Sequence, residues 1–178
     1  MTPIRGPIQR ALILVSVVGS SSCTLVGTAT PEDPRMVPQG VPVEELASDT
    51  GNMEEYTVNG AVYRVLETSY GYTETGMASW YGEQFHGRPT SSMEPFDMNG
   101  VSAAHRSLPI PTWVRVTNLE NGRRLLVRVN DRGPFAHTER RIIDLSYGAA
   151  VLLGMVEAGV VEVRVEAVEP WQNRSRGS

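Results

Sequence analysis

TWVRVTNLENGRRLLVRVNDRGPF, residues 112–135, decides the architecture. Val114 and Val116 alternate with Trp113, Arg115 and Thr117. Beyond Asn121-Gly122, Val127 and Val129 alternate with Leu126 and Arg128. A period of two marks a strand with one buried face. Asn-Gly between two such runs signals a hairpin, because both residues accept the positive φ of a tight turn. The second strand runs out at Asn130-Asp131, and Gly133-Pro134 then turns the chain sharply.

Outward from this hairpin the same signals recur. Tyr56 to Tyr63 alternates around Asn59-Gly60, a second hairpin, and Gly76 to Tyr81 (GMASWY) reads as a strand. Val161, Val163, Val165 and Ala167 alternate with Glu162, Arg164 and Glu166, giving a last strand with one face buried. Ser146 to Leu153 is a short helix, capped by Ser146 and stopped by Gly154. Many short strands, frequent Gly and Pro and one or two small helices favour a compact, mainly β barrel over a layered α/β sheet.

The remaining chain is organised around that domain, expected over residues 56–168. Its 178 residues suit one domain with flanking segments, and its 40% hydrophobic and 20% charged content is that of a globular chain. With a net charge of -4, no nucleic-acid partner is expected. Residues 1–22 read as a secretory signal: Arg5 and Arg10, then the apolar run Ala11 to Val18, then small serines. That run is shorter than the ~20 residues a membrane-spanning helix needs. Gly19-Ser20-Ser21-Ser22-Cys23 resembles a bacterial lipobox with Ser20 where Leu is usual, so Cys23 is the expected lipidation site and membrane anchor. Acyl chains there would bury methylenes at about 0.8 kcal/mol each. Residues 23–55, with four prolines and seven acidic residues against Arg35, read as an acidic, disordered linker. Residues 169–178 read as a flexible tail.

Three polar clusters are candidates for chemistry: Phe85 to Thr90; Glu94 to Asn99 with Ala103-Ala104-His105; and Asn130 to Pro134. A carboxyl group at the rim of a barrel, in half-apolar surroundings, can keep a proton for donation. Asp131 leaves its strand at such a place. The plain alternative is a turn aspartate capping its own backbone. Glu94 and Asp97 pair two carboxylates three residues apart, where Pro95 favours a loop. His105 can orient a carboxylate or simply be a satisfied structural residue. The spacing of His86, His105 and His137 matches no compact ligand motif, so no metal is expected, and no fingerprint calls for a cofactor.

These clusters occur together with Ala78-Ser79-Trp80-Tyr81-Gly82, Leu108-Pro109, Val114 to Asn118 and Ile143-Asp144-Leu145-Ser146, in one order from about Tyr56 to Val168. In that order they resemble the rare lipoprotein A family. The resemblance implies a six-stranded double-psi β-barrel, the fold shared with expansins, in a periplasmic lipoprotein, with the outer membrane the favoured anchor site and a monomeric state. It implies lytic transglycosylase activity on peptidoglycan glycan strands stripped of stem peptides, leaving 1,6-anhydro-N-acetylmuramic acid ends. It places the acid/base role on Asp131, with Glu94 and His105 as catalytic companions. Asp97 and Asn130 would then line the substrate, and Trp80, Tyr81 and Phe85 would stack on sugar faces, unless they pack the barrel instead.

Two departures from the family stand out. Ser92-Met93 replaces the usual Asn-Gly before the motif glutamate, so the Glu94 loop is expected to be set differently, since Met adopts a left-handed backbone only at a cost. No C-terminal glycan-binding domain of the kind many members carry is expected after the barrel. An expansin-like, non-catalytic wall-binding module is the competing function, and an envelope scaffold that binds only proteins is a third.

Overall fold

The computed structural model describes residues 42–169. In chain order they form β1 (Glu55–Val58), β2 (Ala61–Arg64), β3 (Thr73–Tyr81), a 3-10 turn (Glu83–Phe85), β4 (Ser102–His105), β5 (Thr112–Asn118), β6 (Arg124–Asp131), β7 (Arg141–Ser146), α1 (Tyr147–Leu153) and β8 (Val161–Ala167). The proposed signal segment, Cys23 and nearly all of the tail lie outside the described residues.

β3, β7, β4, β6, β5 and β8 close into a barrel in that order, and β1 and β2 make a separate hairpin. Two pairs are parallel, β3 with β7 and β4 with β6, and the other four contacts around the barrel are antiparallel. This is the six-stranded double-psi barrel. Closure leaves the barrel itself without a free sheet edge to pair with another chain.

The alternation that marks the strands also fills the barrel. Val114, Val116, Leu125, Val127, Val129, Val163 and Val165 are wholly buried and point inward with Leu108, Ile110, Ile143 and Leu145. Each such side chain contributes about 1.5–3 kcal/mol of burial. The α1 helix covers one part of this core with Ala149, Ala150 and Leu153. It starts where the Ser146 hydroxyl accepts from the Ala149 N–H and ends at Gly154 in the left-handed conformation. Gly148 is required for a different reason: a Cβ there would lie 2.3 Å from the Asn99 carbonyl oxygen.

Each parallel pair contains a register shift. β4 matches Ser102 with Arg128 and Ala103 with Val129, but Ala104 with Asp131, so Asn130 is an extra residue in β6. Strict alternation would put Asp131 on the inward face with Val127 and Val129. The bulge re-aims it, as bulges at barrel rims commonly do.

Composition assigns residues 42–55 to the linker, yet much of this stretch is fastened to the barrel. The Ser48 N–H donates to the Ile110 carbonyl, the Asn52 amide bonds the Ile110 carbonyl and N–H, and Thr50 Oγ1 donates to the Ser91 carbonyl. Gly51 sits so close that a Cβ would lie 2.5 Å from Ile110 Cδ1 and 2.8 Å from the Ser91 oxygen, at a φ of +77°. Polar anchors rather than apolar burial hold this strap, which is why a low hydrophobic content did not reveal it.

Candidate active site

Asp131 occupies the bulged end of β6. Its Oδ1 accepts from the Ser91 N–H at 2.9 Å, the Ser91 hydroxyl at 2.8 Å and the Arg132 N–H at 2.8 Å. None of the described hydrogen bonds reaches Oδ2. One oxygen is therefore fixed by the protein and the other is left for a ligand. Asp131 lines a cleft of about 430 Å³ with Gly51, Met53, Tyr56, Ser91, Arg132 and Phe135, a size within the usual range for ligand sites.

Arg132 holds the walls of that cleft together. Its guanidinium donates to the Gly51 carbonyl on the strap and to the carbonyls of His105 and Leu108 after β4. It also lies over the Tyr56 ring at 5.9 Å. The β1–β2 hairpin reaches the same place through Tyr56 and Tyr63, stacked at 5.4 Å, with the Phe135 ring against both.

Glu94 lies on the loop between the 3-10 turn and β4. Met93 before it takes a φ of +67°, so the turn keeps a left-handed residue although it lacks glycine. Hydrogen bonds from the Met93 N–H to the Thr90 carbonyl and from the Thr90 N–H to the Glu94 carbonyl close that turn. The Glu94 carboxylate then meets Arg128 in a two-toothed ion pair at 2.7 and 2.9 Å and accepts from Asn130 Nδ2 at 2.8 Å. The Arg128 contact holds its carboxyl below the usual carboxylate range, against the opposing effect of burial, and Asn130 adds to this. Glu94 is thus a charged group, not a proton donor.

Arg128 is shared. Its Nε edge bonds both oxygens of Glu45 at 2.9 Å, and Trp113 Nε1 donates to the same carboxylate at 3.0 Å. Burial lowers the pKa of the guanidinium, but Glu45 and then Glu94 outweigh it and raise it overall. The buried Asn130 Oδ1 has no hydrogen-bond partner among the described residues. An orphaned acceptor of this kind costs about 1–3 kcal/mol unless a ligand or water donates to it.

His105 is brought to neither carboxylate. It is 2% exposed, its Nδ1 accepts from the Ser107 and Leu108 N–H groups, and its Nε2 meets the Tyr72 hydroxyl at 2.8 Å. Because Nδ1 accepts, the ring N–H lies on Nε2 and donates a hydrogen bond to the Tyr72 oxygen, and the Tyr72 hydroxyl in turn donates one to Glu74. Burial, then Arg106 and Arg132, push the imidazole down to about 3. The ring is buried and neutral, and the His105 carbonyl reaches the site through Arg132.

Asp97 is 64% exposed at its side chain, faces His86 at 3.8 Å and holds its own loop by accepting from the Asn99 N–H. Trp80 is half-buried against the core, edge-on to Tyr147. Tyr81 stacks on Phe96 at 4.3 Å, so one face of its ring is already covered. Phe85 is 40% exposed, with Arg88 over its ring at 5.8 Å, and is the most open of these three candidate aromatics. Ser91, Arg128 and Arg132 are the residues to which the sequence reading assigned no role. Arg128 sits two residues before Asn130 on a face of β6 that alternation marks as outward, which was the available signal.

Among the described residues, no group of three or more His, Cys, Asp or Glu side chains is arranged to hold a metal, and no helix is long and apolar enough to cross a membrane.

The family model described as lytic transglycolase matches residues 73–165. A Vibrio cholerae protein named endolytic peptidoglycan transglycosylase RlpA is 51% identical over 118 residues, 66% of this chain and 44% of that protein. The Pseudomonas aeruginosa protein of the same name is 45% identical over 147 residues, covering 81% of this chain and 42% of its own length. The Neisseria meningitidis protein of that name is 51% identical over 118 residues, 66% of this chain and 48% of its own. The chain therefore spans less than half the length of these relatives. Among solved structures, the Streptomyces papain inhibitor aligns with a TM-score of 0.46 at 23% identity, over 58% of this chain and 100% of that one.

Proposed function

Since the chain belongs to the lytic transglycolase family, within the rare lipoprotein A group, we propose that it cleaves peptidoglycan glycan strands without water, leaving 1,6-anhydro-N-acetylmuramic acid ends. The observation that carries this reading is the split use of the Asp131 carboxylate: three donors on Oδ1, none on Oδ2, at the wall of a cleft. Oδ2 gives a proton to the leaving glycosidic oxygen as its bond to C1 breaks. The sugar's own C6 hydroxyl then adds to C1, and its proton returns to Asp131. One carboxyl group serves both halves, where ordinary glycosidases commonly need two flanking ones to handle a nucleophile or water.

Glu94, kept anionic by Arg128 and Asn130, supports positive charge on the sugar ring. The unpartnered Asn130 Oδ1 accepts a hydroxyl or acetamido N–H of the substrate. Phe85 offers a stacking face. The rings of Trp80 and Tyr81 contribute as packing, and Asp97 through its loop. His105 supports the site through its backbone. Strands without stem peptides are the preferred substrate.

The protein works in the periplasm as a monomer, held to the outer membrane by a lipid on Cys23. In a Cys23→Ala variant it moves to the soluble envelope fraction; continued membrane association would reject the anchor. The activity is tested by incubating the purified protein with denuded strands and weighing the products. A mass 18 Da below the hydrolysis product, that of one water, marks the anhydro end. Binding without cleavage would favour the expansin-like alternative.

A further inference from the structure

Asp131 has a counterpart that the motifs left without a role. In register, Ala104 of β4 is matched with Asp131 of β6 on one side and with Asp144 of β7 on the other, and Asp144 is matched in turn with Ser79 of β3. These four residues form one row across four neighbouring strands. Residues matched in register share a face of the sheet, and strands lie about 4.8 Å apart, so the two aspartates face the same side about two strand spacings apart. The alanine between them adds only a methyl group.

Asp144 is held much as Asp131 is. Its Oδ1 accepts from the Ser79 hydroxyl at 2.5 Å and from Arg141 Nη2, and none of the described hydrogen bonds reaches Oδ2. Its side chain is 16% exposed, so water or a ligand can reach it. Tyr81 lies two residues beyond Ser79 on β3 and therefore points to the same face. Its hydroxyl is buried, with the Ser102 side chain as the hydrogen-bonding neighbour of its oxygen, and none of the described hydrogen bonds takes up its proton. The phenol is held protonated by burial and by the nearby charges of Asp131 and Asp144, and is thus an unused donor facing both carboxylates. A buried hydroxyl whose proton has no acceptor is costly in an unliganded fold and marks a place where a ligand completes the bonding.

We propose that Asp144 is the second carboxylate of the catalytic groove, accepting a hydrogen bond from an N–H or O–H of the sugar other than its C6 hydroxyl and so holding the ring with that hydroxyl aimed at C1, while the Tyr81 hydroxyl donates to the same sugar. This rests on the lytic reading given above. The proton transfers stay on Asp131; Asp144 forms no covalent bond and exchanges no proton with the substrate. Ser79 and Arg141 are positioning residues that hold Asp144 in place.

The test measures kcat and KM on denuded glycan strands, with the melting temperature of each variant. Asp144→Asn keeps the shape and the Ser79 and Arg141 contacts but removes the charge. It is expected to lower kcat about 100-fold, the scale seen when one preorganised polar group is lost from an active site, with KM changed less than about threefold. Ser79→Ala and Tyr81→Phe each lower kcat roughly tenfold, and the Tyr81→Phe ring keeps its stack on Phe96. If Asp144→Asn fails to fold, the other two decide. A purely structural Asp144 predicts lower melting temperatures with kcat per folded molecule unchanged in all three, and that result would overturn the proposal. A wild-type protein that binds strands but yields no anhydro ends would instead remove the lytic reading itself, and this role with it.

Discussion

Replacing Arg128 with Met puts the greatest strain on the wiring of the site. The guanidinium holds Glu94 on one edge and Glu45 on the other, and Trp113 Nε1 also ends on Glu45. Methionine fills the volume and removes every one of the Arg128 bonds, leaving two carboxylates facing each other with no cation between them. Breaking a fully buried pair this way costs about 3–5 kcal/mol. Here the side chain of Glu94 is 43% exposed and that of Glu45 26%, so water screens part of the loss and about 2–3 kcal/mol remains. For a domain of this size about 1 kcal/mol moves Tm by roughly 4 °C, so the variant is expected to melt about 10 °C lower at pH 7. Glu45→Gln leaves Glu94 on the guanidinium and costs about 1 kcal/mol or less. The double variant should be less than additive, because both changes break the same bonds. Glu94 also fixes the pH dependence. Its folded pKa is depressed, so its contribution is complete above the ordinary carboxylate range and is lost as pH falls below about 4. That component should be missing from Arg128→Met. The assay is thermal melting by circular dichroism from pH 3 to 7. A Tm at pH 7 within about 2 °C of wild type would refute the shared-cation account.

Three further outcomes follow from single features. His105 has a folded pKa depressed to about 3, so its share of stability is present above its ordinary value near 6.5 and is lost as pH falls from there towards 3; in His105→Gln that part of the pH dependence of Tm should flatten, and an unchanged slope would count against a neutral, buried ring. Met93 pays about 1–2 kcal/mol for its left-handed backbone, so Met93→Gly should keep the fold and the activity and raise stability by up to about 1 kcal/mol after the extra chain entropy of glycine, whereas Met93→Val should lose both; denaturant melts distinguish them. Phe85→Ala should raise KM for glycan strands about tenfold, the loss of one stacking contact of about 1–1.5 kcal/mol, with Tm nearly constant; an unchanged KM would remove Phe85 from the binding surface.

Where one face of a strand is buried and the other is not, the sequence announced it. The β5–β6 hairpin, β8 and the β1–β2 hairpin all alternate, and Ser146 and Gly154 bracket the helix that formed between them. β4 and β7 escaped notice for a physical reason. β4 is four residues of which three are small or buried on both sides, and β7 carries a register shift opposite Met77 and Ala78 that breaks its alternation. The row that sets Asp131 against Asp144 runs through just these two strands, so it could not be read from the chain. The strap was hidden differently. Glu45, Thr50, Gly51 and Asn52 have the composition of a solvated linker, and their partners, Arg128, Ser91, Arg132 and Ile110, lie 40 or more residues away. The candidate residues of the ordered motifs were legible as residues, but not their division of labour. His105 proved to be turned into the fold, and Met93 kept the left-handed turn that glycine would supply more cheaply.

The central claim is that the free oxygen of Asp131 moves the proton in a cleavage that uses no water. Its most direct test is the Asp131→Asn variant beside wild type on denuded glycan strands, with products weighed by mass spectrometry and folding followed by melting temperature. The account predicts 1,6-anhydro ends from wild type and none above background from the variant, whose amide keeps the Ser91 contacts in part and whose barrel stays folded. Anhydro ends at the wild-type rate from a folded Asp131→Asn protein would contradict it.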